Sequence, residues 1–432
     1  MQAGFAKAPI TPPIGTRMMG FGSRDRDHGC TAIHDDIFTR AVYLQHGGEA
    51  ALIVGLDLCF IGRADADRLK SAIGQRLGLA PQQILLNTSH NHVGPAVGTW
   101  HSAGYIPPDH GYLKTLDAAV ISVASQAREA AREVTVSAGV GRSALPMSRR
   151  VRHEDGTVTM GPNPDGAIYD AVPICLLKDL AGEPVCLLFS VSCHPVIMVG
   201  FEVSAEYPGA AMDRLDAYLG TTASLFLQGA GADANVSVKC TDGETWREGT
   251  WEDVAEAGQM VADEVIRPLE AGLMEIEPQL RTHLIEVEWP LQPALGHDAY
   301  LAVATAAETD EIRRLWAQSI LKRIERGEPL PTSVPLLVQG LQLGAGLRII
   351  GVEGELVAGL GKLIQDFYAE GFTFPLGYCN GEGLYLPTSE MIDEGGYEVV
   401  SYWEYGYPAP LAKGFEGILT EALQELRADG IE

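Results

Sequence analysis

At 432 residues the chain is long enough for one large elaborated α/β domain or two closely packed ones, at roughly 100–200 residues per domain. Its composition, 46% hydrophobic and 20% charged, excludes collagen, coiled-coil and disordered-linker classes, because no stretch is too poor in apolar residues to be buried. With 31 Lys+Arg against 57 Asp+Glu the formal charge is −26, a field that repels phosphate backbones and anionic lipid surfaces unless basic residues are segregated.

The first residues contain no basic run leading into an apolar one, so no secretory signal is expected and the cytoplasm is the expected compartment. Residues 41–58 read as two β-rich runs around a His46-Gly-Gly-Glu turn, a hairpin pattern, and a helix is predicted over about 63–77. ILLNTSHNH at 84–92 is an apolar strand running abruptly into polar residues, and an amphipathic helix over about 111–133 precedes the strand VTVSAGVG. The longest basic cluster follows, Arg149, Arg150 and Arg152, and it is too short to serve a nucleic acid. A second hairpin is expected at 171–192 around Ala181-Gly182, ending in Cys193-His194-Pro195. After a helix near 207–219, SLFLQGAGADANVS repeats the form of a buried strand opening into a Gly-rich loop. Helices at about 250–273 and 298–326 bracket a strand around His283–Glu288. From about 333 the chain reads strand, strand (LRIIGVEGE), helix, a long Gly/Tyr-rich loop at 376–407 and a terminal helix.

No apolar run approaches the roughly 18 residues of a membrane helix. The seven cysteines are odd in number, show no CxxC pair and sit largely in apolar runs, so they read as reduced core thiols. Neither a repeat nor a linker is visible. The expectation is an α/β fold with mixed sheets and flanking helices, one domain over 1–432, with 275–330 as the place where two lobes would divide.

Four predicted strands end in loops that hold His90/His92, His194, Asp233/Asn235 and Glu353/Glu355. In α/β sheets ligands bind beyond the carboxyl ends of strands, so the chemistry is expected there. HExxH, GxSxG, the P-loop and the EF-hand loop are all absent. His90 and His92, at i and i+2, fall on one side of the chain if the segment is extended, where one can bind a metal while the other acts on substrate. His194 stands at the tip of an apolar strand before Pro195, and Glu355 follows a glycine that permits close approach; alone, each also fits a structural role. The loops at 96–110 and 376–407, with Trp100, His101, Tyr105, Tyr378, Tyr385, Tyr397 and Tyr405, are suited to closing over a ligand.

Taken together, these residues resemble the neutral/alkaline (non-lysosomal) ceramidase superfamily, specifically its N-terminal catalytic domain. The likeness rests on Ile10-Thr-Pro-Pro with Met18-Met-Gly-Phe-Gly, Ala32-Ile-His34, Leu56-Asp57-Leu58, Thr88-Ser-His-Asn-His-Val-Gly-Pro95, Cys193-His-Pro195, Gln228-Gly-Ala-Gly-Ala-Asp-Ala-Asn235, Gly354-Glu355 and the Tyr385…Tyr397-Glu398 loop. The resemblance implies one zinc ion held by His90, His194, Glu355 and Tyr385. It implies His92 and Tyr397 as further active-site residues, and Arg149 as the family's arginine, with Arg150 the neighbour to which that match could slip. His34, Asp57, Asp233 and Asn235 fall in matched segments and are expected at the substrate, with support of a ligand histidine the other role open to His34 and Asp57. Asn235 stands about where the family has a catalytic serine, and no counterpart of the family's C-terminal domain is expected.

Ligands of this type suit a catalytic rather than a thiolate-caged zinc, which brings the pKa of a bound water to about 7 and makes a serine nucleophile dispensable. The expected reaction is attack of that water on a carbonyl, with Tyr397 or Arg149 steadying the oxyanion and His92 moving the proton to a leaving amine. The favoured reading is a zinc amidohydrolase acting on a soluble N-acyl molecule rather than on membrane ceramide. Cleavage of an ester, lactone or sugar derivative, by hydrolysis or elimination, is the alternative, and a non-catalytic binding protein is the second. The expected partner is a small molecule, neither nucleic acid nor membrane, and self-association into a homo-oligomer is left open.

Overall fold

A computed structural model describes residues 1–97, 106–240 and 242–432. Trp100, His101 and Tyr105 lie outside the described residues. Among those described, two mixed sheets face each other across a shared core, with helices on the outer face of each.

The larger sheet has nine strands. Its main path runs Ser224–Gln228, Pro184–Val191, Ala171–Asp179, Arg132–Arg142, Gln2–Pro9, Phe38–His46, Glu49–Leu56, Ile84–Thr88. The middle of this path is antiparallel, while the pair at each end is parallel. The expected hairpin at 41–58 closes on Gly47 and Gly48, both at positive φ (59° and 90°), as a two-residue turn between twisted strands requires. The second hairpin turns where Asp179 accepts hydrogen bonds from the amides of Ala181 and Glu183.

The smaller sheet has four strands, Pro278–Pro290, Ser333–Gly344, Leu347–Val352 and Phe372–Leu376, the last two parallel. Val42, Leu44, Ile53, Leu188 and Leu225 of the large sheet meet Leu341, Ile349, Phe374 and Leu376 of the small one in the inter-sheet core. The helices Arg63–Leu77 and His110–Glu129 cover one outer face, Glu206–Leu219 and Trp251–Ala271 another part of the same sheet, and Ala358–Phe367 with Phe415–Ala428 the small sheet. Local signals place these helices. Asp109 caps His110–Glu129 through the Tyr112 amide, Thr250 and Asp253 form a capping box, and Gly78 ends the first helix in the left-handed region.

Three details differ from the sequence reading. The span 298–326 is two helices, His297–Thr305 and Glu311–Glu325, because Asp310 accepts from the Arg313 amide and starts a new helix. Phe372–Leu376 is a strand despite Pro375, which its edge position tolerates. The loop 376–407 carries regular structure, the strand Tyr385–Leu386 and the short helices Ser389–Glu394 and Tyr397–Val400.

The two ends of the large sheet come together beneath the site. Asn87 accepts from the Gln228 amide at 2.8 Å and donates to the Gly377 carbonyl at 2.9 Å, tying both edge strands to the small sheet. The carboxyl ends of Ile84–Thr88, Pro184–Val191, Ser224–Gln228 and Leu347–Val352 therefore open into one region.

Candidate metal centre and its cleft

His90 follows the strand Ile84–Thr88 by two residues and sits at φ 63°, a left-handed conformation rare for a side chain of this size. The surroundings hold it there. Its amide donates to the Leu58 carbonyl, and Asn91 donates Nδ2–H to the Asp57 carbonyl while accepting from the Val93 amide. The extended reading of this segment is thus corrected, because the chain turns at His90. The turn still brings the imidazoles together, with Nε2 of His92 3.0 Å from Nε2 of His90.

His90 and His194 share one further feature. Nδ1 of His90 lies 2.8 Å from the Cys59 carbonyl, and Nδ1 of His194 lies 2.8 Å from the Gly231 carbonyl. A carbonyl only accepts, so each ring carries its proton on Nδ1 and turns an Nε2 lone pair inward. Glu355 reaches the same point from the small sheet. Gly354 before it has φ 115°, and a Cβ there would come 2.7 Å from the Leu384 carbonyl, so the close approach of the two loops requires glycine. Glu355 pairs with Tyr385 in a short parallel ladder, Glu355–Leu356 beside Tyr385–Leu386.

The resulting distances are short: Glu355 Oε2 lies 3.4 Å from His90 Nε2 and 3.2 Å from His194 Nε2, and the Tyr385 hydroxyl lies 3.4 Å from His194 Nε2. All of these side chains are buried. Although burial alone raises the Glu355 carboxyl, the imidazoles of His90 and His194 hold it well below the usual range. Burial, then Arg149, pushes His194 down to about 4, and burial, then His90, pushes His92 well below its ordinary value. A carboxylate oxygen and the Nε2 lone pairs of two imidazoles thus converge on one point, an arrangement that fits a cation. His90, His194 and Glu355 have the ligand types of a zinc-like divalent ion, and Tyr385 stands ready as a fourth.

A cleft opens onto this cluster, lined by Phe21, Phe60, His90, His92, Glu355, Glu382, Tyr385, Tyr397, Glu404 and Tyr405 among others. The Tyr397 hydroxyl donates to Glu404 at 3.2 Å. Arg149 stands behind the tyrosines, with its guanidinium 5.4 Å from the Tyr385 ring centre and 5.5 Å from that of Tyr397. It donates to Glu398 and lies 3.4 Å from His194 Nε2, while Nη2 is buried with no hydrogen-bond partner among the described residues. Arg150 turns away to Glu398, Glu394 and the Gly395 carbonyl, so Arg149 is the arginine at the cluster.

The structure corrects four expected substrate contacts. His34 stacks on Trp251 at 3.6 Å, bonds to Asp35 and does not line the cleft. Asp57 is consumed by Arg40 and the Phe38 amide, and supports the site through its carbonyl on Asn91. Asp233, pushed up by burial to about 6, accepts from the Ala358 amide at the start of a helix. Asn235 lies in the strand Ala234–Val236 opposite Met147, outside the cleft lining.

Glu382 was not singled out in the sequence, and Tyr378 and Tyr405 were read there only as aromatics of a loop suited to closing over a ligand. Tyr405 donates to Glu355 Oε1 at 2.6 Å, Tyr378 donates to Oε2 at 3.3 Å, and Glu382 is a second buried carboxyl in the cleft. Burial, then the charge of Glu355, raises Glu382 well above the ordinary range. The only sequence signal for it was an acid between two glycines in an otherwise uncharged stretch.

The fold defined by these sheets and this cluster is a ceramidase-like α/β fold. Neutral ceramidase from Pseudomonas aeruginosa is similar with a TM-score of 0.74 at 16% identity, over 98% of this chain and 73% of that one. A ceramidase complexed with C2 is similar with a TM-score of 0.76 at 16% identity, over 100% of this chain and 76% of that one. No protein-family model matches the sequence, and no curated protein matches it. The resemblance stated from the motifs is therefore borne out at the level of the fold.

Proposed function

We propose that the protein is a hydrolase that uses one zinc ion per chain, held by His90, His194, Glu355 and Tyr385, to cleave an amide bond in a small water-soluble molecule. The observation behind this reading is the convergence of two imidazole lone pairs and a carboxylate oxygen at 3.2–3.4 Å, each imidazole fixed by a carbonyl on its other nitrogen. A fold shared with ceramidases makes an N-acyl amide the first bond to test.

A zinc ion, held by His90, His194, Glu355 and Tyr385, would supply a Lewis acid for the carbonyl and a bound water with a pKa of about 7. The chain's own residues supply the rest. His92, neutral and on the cleft wall, carries the proton to the leaving amine, a transfer worth roughly 10²–10⁴-fold. Tyr397 offers the hydroxyl that meets the developing oxyanion. Burial pushes the Tyr385 phenol well above its ordinary value, and Arg149, set back from the cleft, opposes that shift with its positive charge and so acts through Tyr385.

The test is elemental analysis followed by product mass from matched amides and esters, with long-chain ceramide in detergent included. We expect about one zinc per chain, amine and acid products from soluble amides, and little turnover of ceramide. Less than about 0.2 metal per chain after zinc reconstitution sinks the reading.

A further inference from the structure

We propose that Arg24 is a positioning residue for the proton carrier His92, clamping residues 18–24 over its imidazole as a strap. The proton-carrying role of His92 rests on the hydrolase reading above; the strap rests on separate observations.

The three histidines of the cluster are held differently. His90 and His194 each set Nδ1 against a main-chain carbonyl, that of Cys59 and that of Gly231, at 2.8 Å. Nδ1 of His92 is buried with no hydrogen-bond partner among the described residues. The orientation of its ring is therefore left to packing and to the path of its own backbone.

Residues 18–24 supply both. Met18 forms an antiparallel bridge with Pro95, the Met19 amide donates to the Gly94 carbonyl, and the Ala96 amide donates to the Arg17 carbonyl. The strap thus runs beside the segment that leaves His92. Gly20, at φ 111°, lies so close that a Cβ there would come 2.8–2.9 Å from Cα, Cβ and Cγ of His92. The Phe21 ring stands 5.0 Å from the imidazole, tilted by 59°.

Arg24 closes the strap. Nη1 donates to the Met19 carbonyl at 2.6 Å and Nη2 to the His92 carbonyl at 2.9 Å, while the guanidinium lies 5.0 Å from the Phe21 ring centre. A buried arginine ordinarily faces a carboxylate. Here no acidic side chain pairs with it among the described residues, and burial pulls it down to about 10. Its planar fork instead spans two main-chain carbonyls at once, one of them that of His92, a reach that the point charge of a lysine does not reproduce.

The test is a cycle of Arg24→Ala, His92→Ala and the double variant, assayed for zinc content and for kcat and KM on the amide that the wild type turns over best. Carbethoxylation of His92 by diethylpyrocarbonate, read as peptide mass, reports the ring directly in wild type and Arg24→Ala. We expect Arg24→Ala to keep its zinc, to lose about 100-fold in kcat with KM within about twofold, and to expose His92 to the reagent about tenfold faster. Guanidinium at sub-denaturing concentration should restore part of the rate and of the protection, and ethylammonium should restore neither. In the His92→Ala background the same substitution should cost less than about twofold, because a residue that acts through His92 has nothing left to act on. A loss of similar size in both backgrounds overturns the inference, as do zinc loss from Arg24→Ala and unchanged reactivity of His92. If Arg24→Ala does not fold, Arg24→Lys decides, since it keeps the charge without the fork: a wild-type kcat overturns the inference, and a loss that disappears in His92→Ala supports it. If no amide turns over while the reactivity of His92 still follows Arg24 and added guanidinium, the hydrolase reading fails and the strap stands.

Discussion

Nε2 of His92 lies 3.0 Å from Nε2 of His90, a separation that accommodates one proton and excludes two. One of the two rings must therefore present a lone pair, and the Nδ1 contact of His90 with Cys59 assigns that lone pair to His90. Nδ1 of His92 has no hydrogen-bond partner among the described residues. His92→Ala is accordingly expected to keep its zinc and lose turnover by roughly 100-fold or more, as removal of a proton carrier does. Metal analysis and kinetics on the same preparation check this; zinc lost along with activity makes His92 a ligand instead.

Glu353 and Glu355 are two residues apart and have opposite fates. Glu353 takes the guanidinium of Arg63 and the Leu337 amide at 3.0 Å, and so ties the first helix to the small sheet. Glu355→Gln, like His90→Ala or His194→Ala, should empty the metal site. Glu353→Gln should retain metal but lower unfolding free energy by about 2 kcal/mol, because it leaves a half-buried arginine with a weaker partner. Metal stripped by Glu353→Gln and retained by Glu355→Gln would mean the wrong carboxylate has been chosen.

Lys70 provides a test of pH dependence away from the cleft. Its side chain is buried, Nζ has no hydrogen-bond partner among the described residues, and burial pulls the ammonium down to about 8 from an ordinary 10.5. Below pH 8 both folded and unfolded chains hold the proton, and the folded state bears the full cost of the buried charge. Between about 8 and 10.5 the unfolded chain holds more proton, so this group's contribution to stability rises with pH. Lys70→Met should thus stabilise the protein at pH 6.5 by on the order of 1–3 kcal/mol, and by less at pH 9.5. Urea melts at the two pH values decide it, and a gain that is equal or larger at pH 9.5 defeats the account.

Much of the candidate site was legible because its residues follow apolar strands: His90, His194 and Glu355 each stand just past a buried run that local pattern identifies. Tyr385 needed the family resemblance, since nothing in the Gly/Tyr-rich loop distinguishes it from Tyr378 or Tyr405. Contacts between distant segments were not legible. His34 looked like a cleft residue until the fold brought Trp251 against its ring, and Asp233 looked chemical until it met a helix start. Glu382 escaped notice because its burial is decided by Asn380 bonding to strands far away in sequence. The same holds for the strand Phe372–Leu376, whose proline argues against it until its partner Leu347–Val352 is in place.

The ladder between Glu355 and Tyr385 separates what can vary from what cannot. As neighbours in parallel strands, these residues stand roughly 4.8 Å apart at the backbone, whatever the chain does in between. The intervening excursion leaves and returns at the same clasp, and it carries the helix Ala358–Phe367, the strand Phe372–Leu376 and the loop bearing Glu382. Insertions or substitutions along that excursion can rebuild the cleft wall while the two clasped residues keep their spacing. Glu382 sits three positions upstream of the clasp, close enough to reach the cleft and outside the register that holds it. Selectivity in this fold can therefore drift independently of the metal grip, one loop at a time.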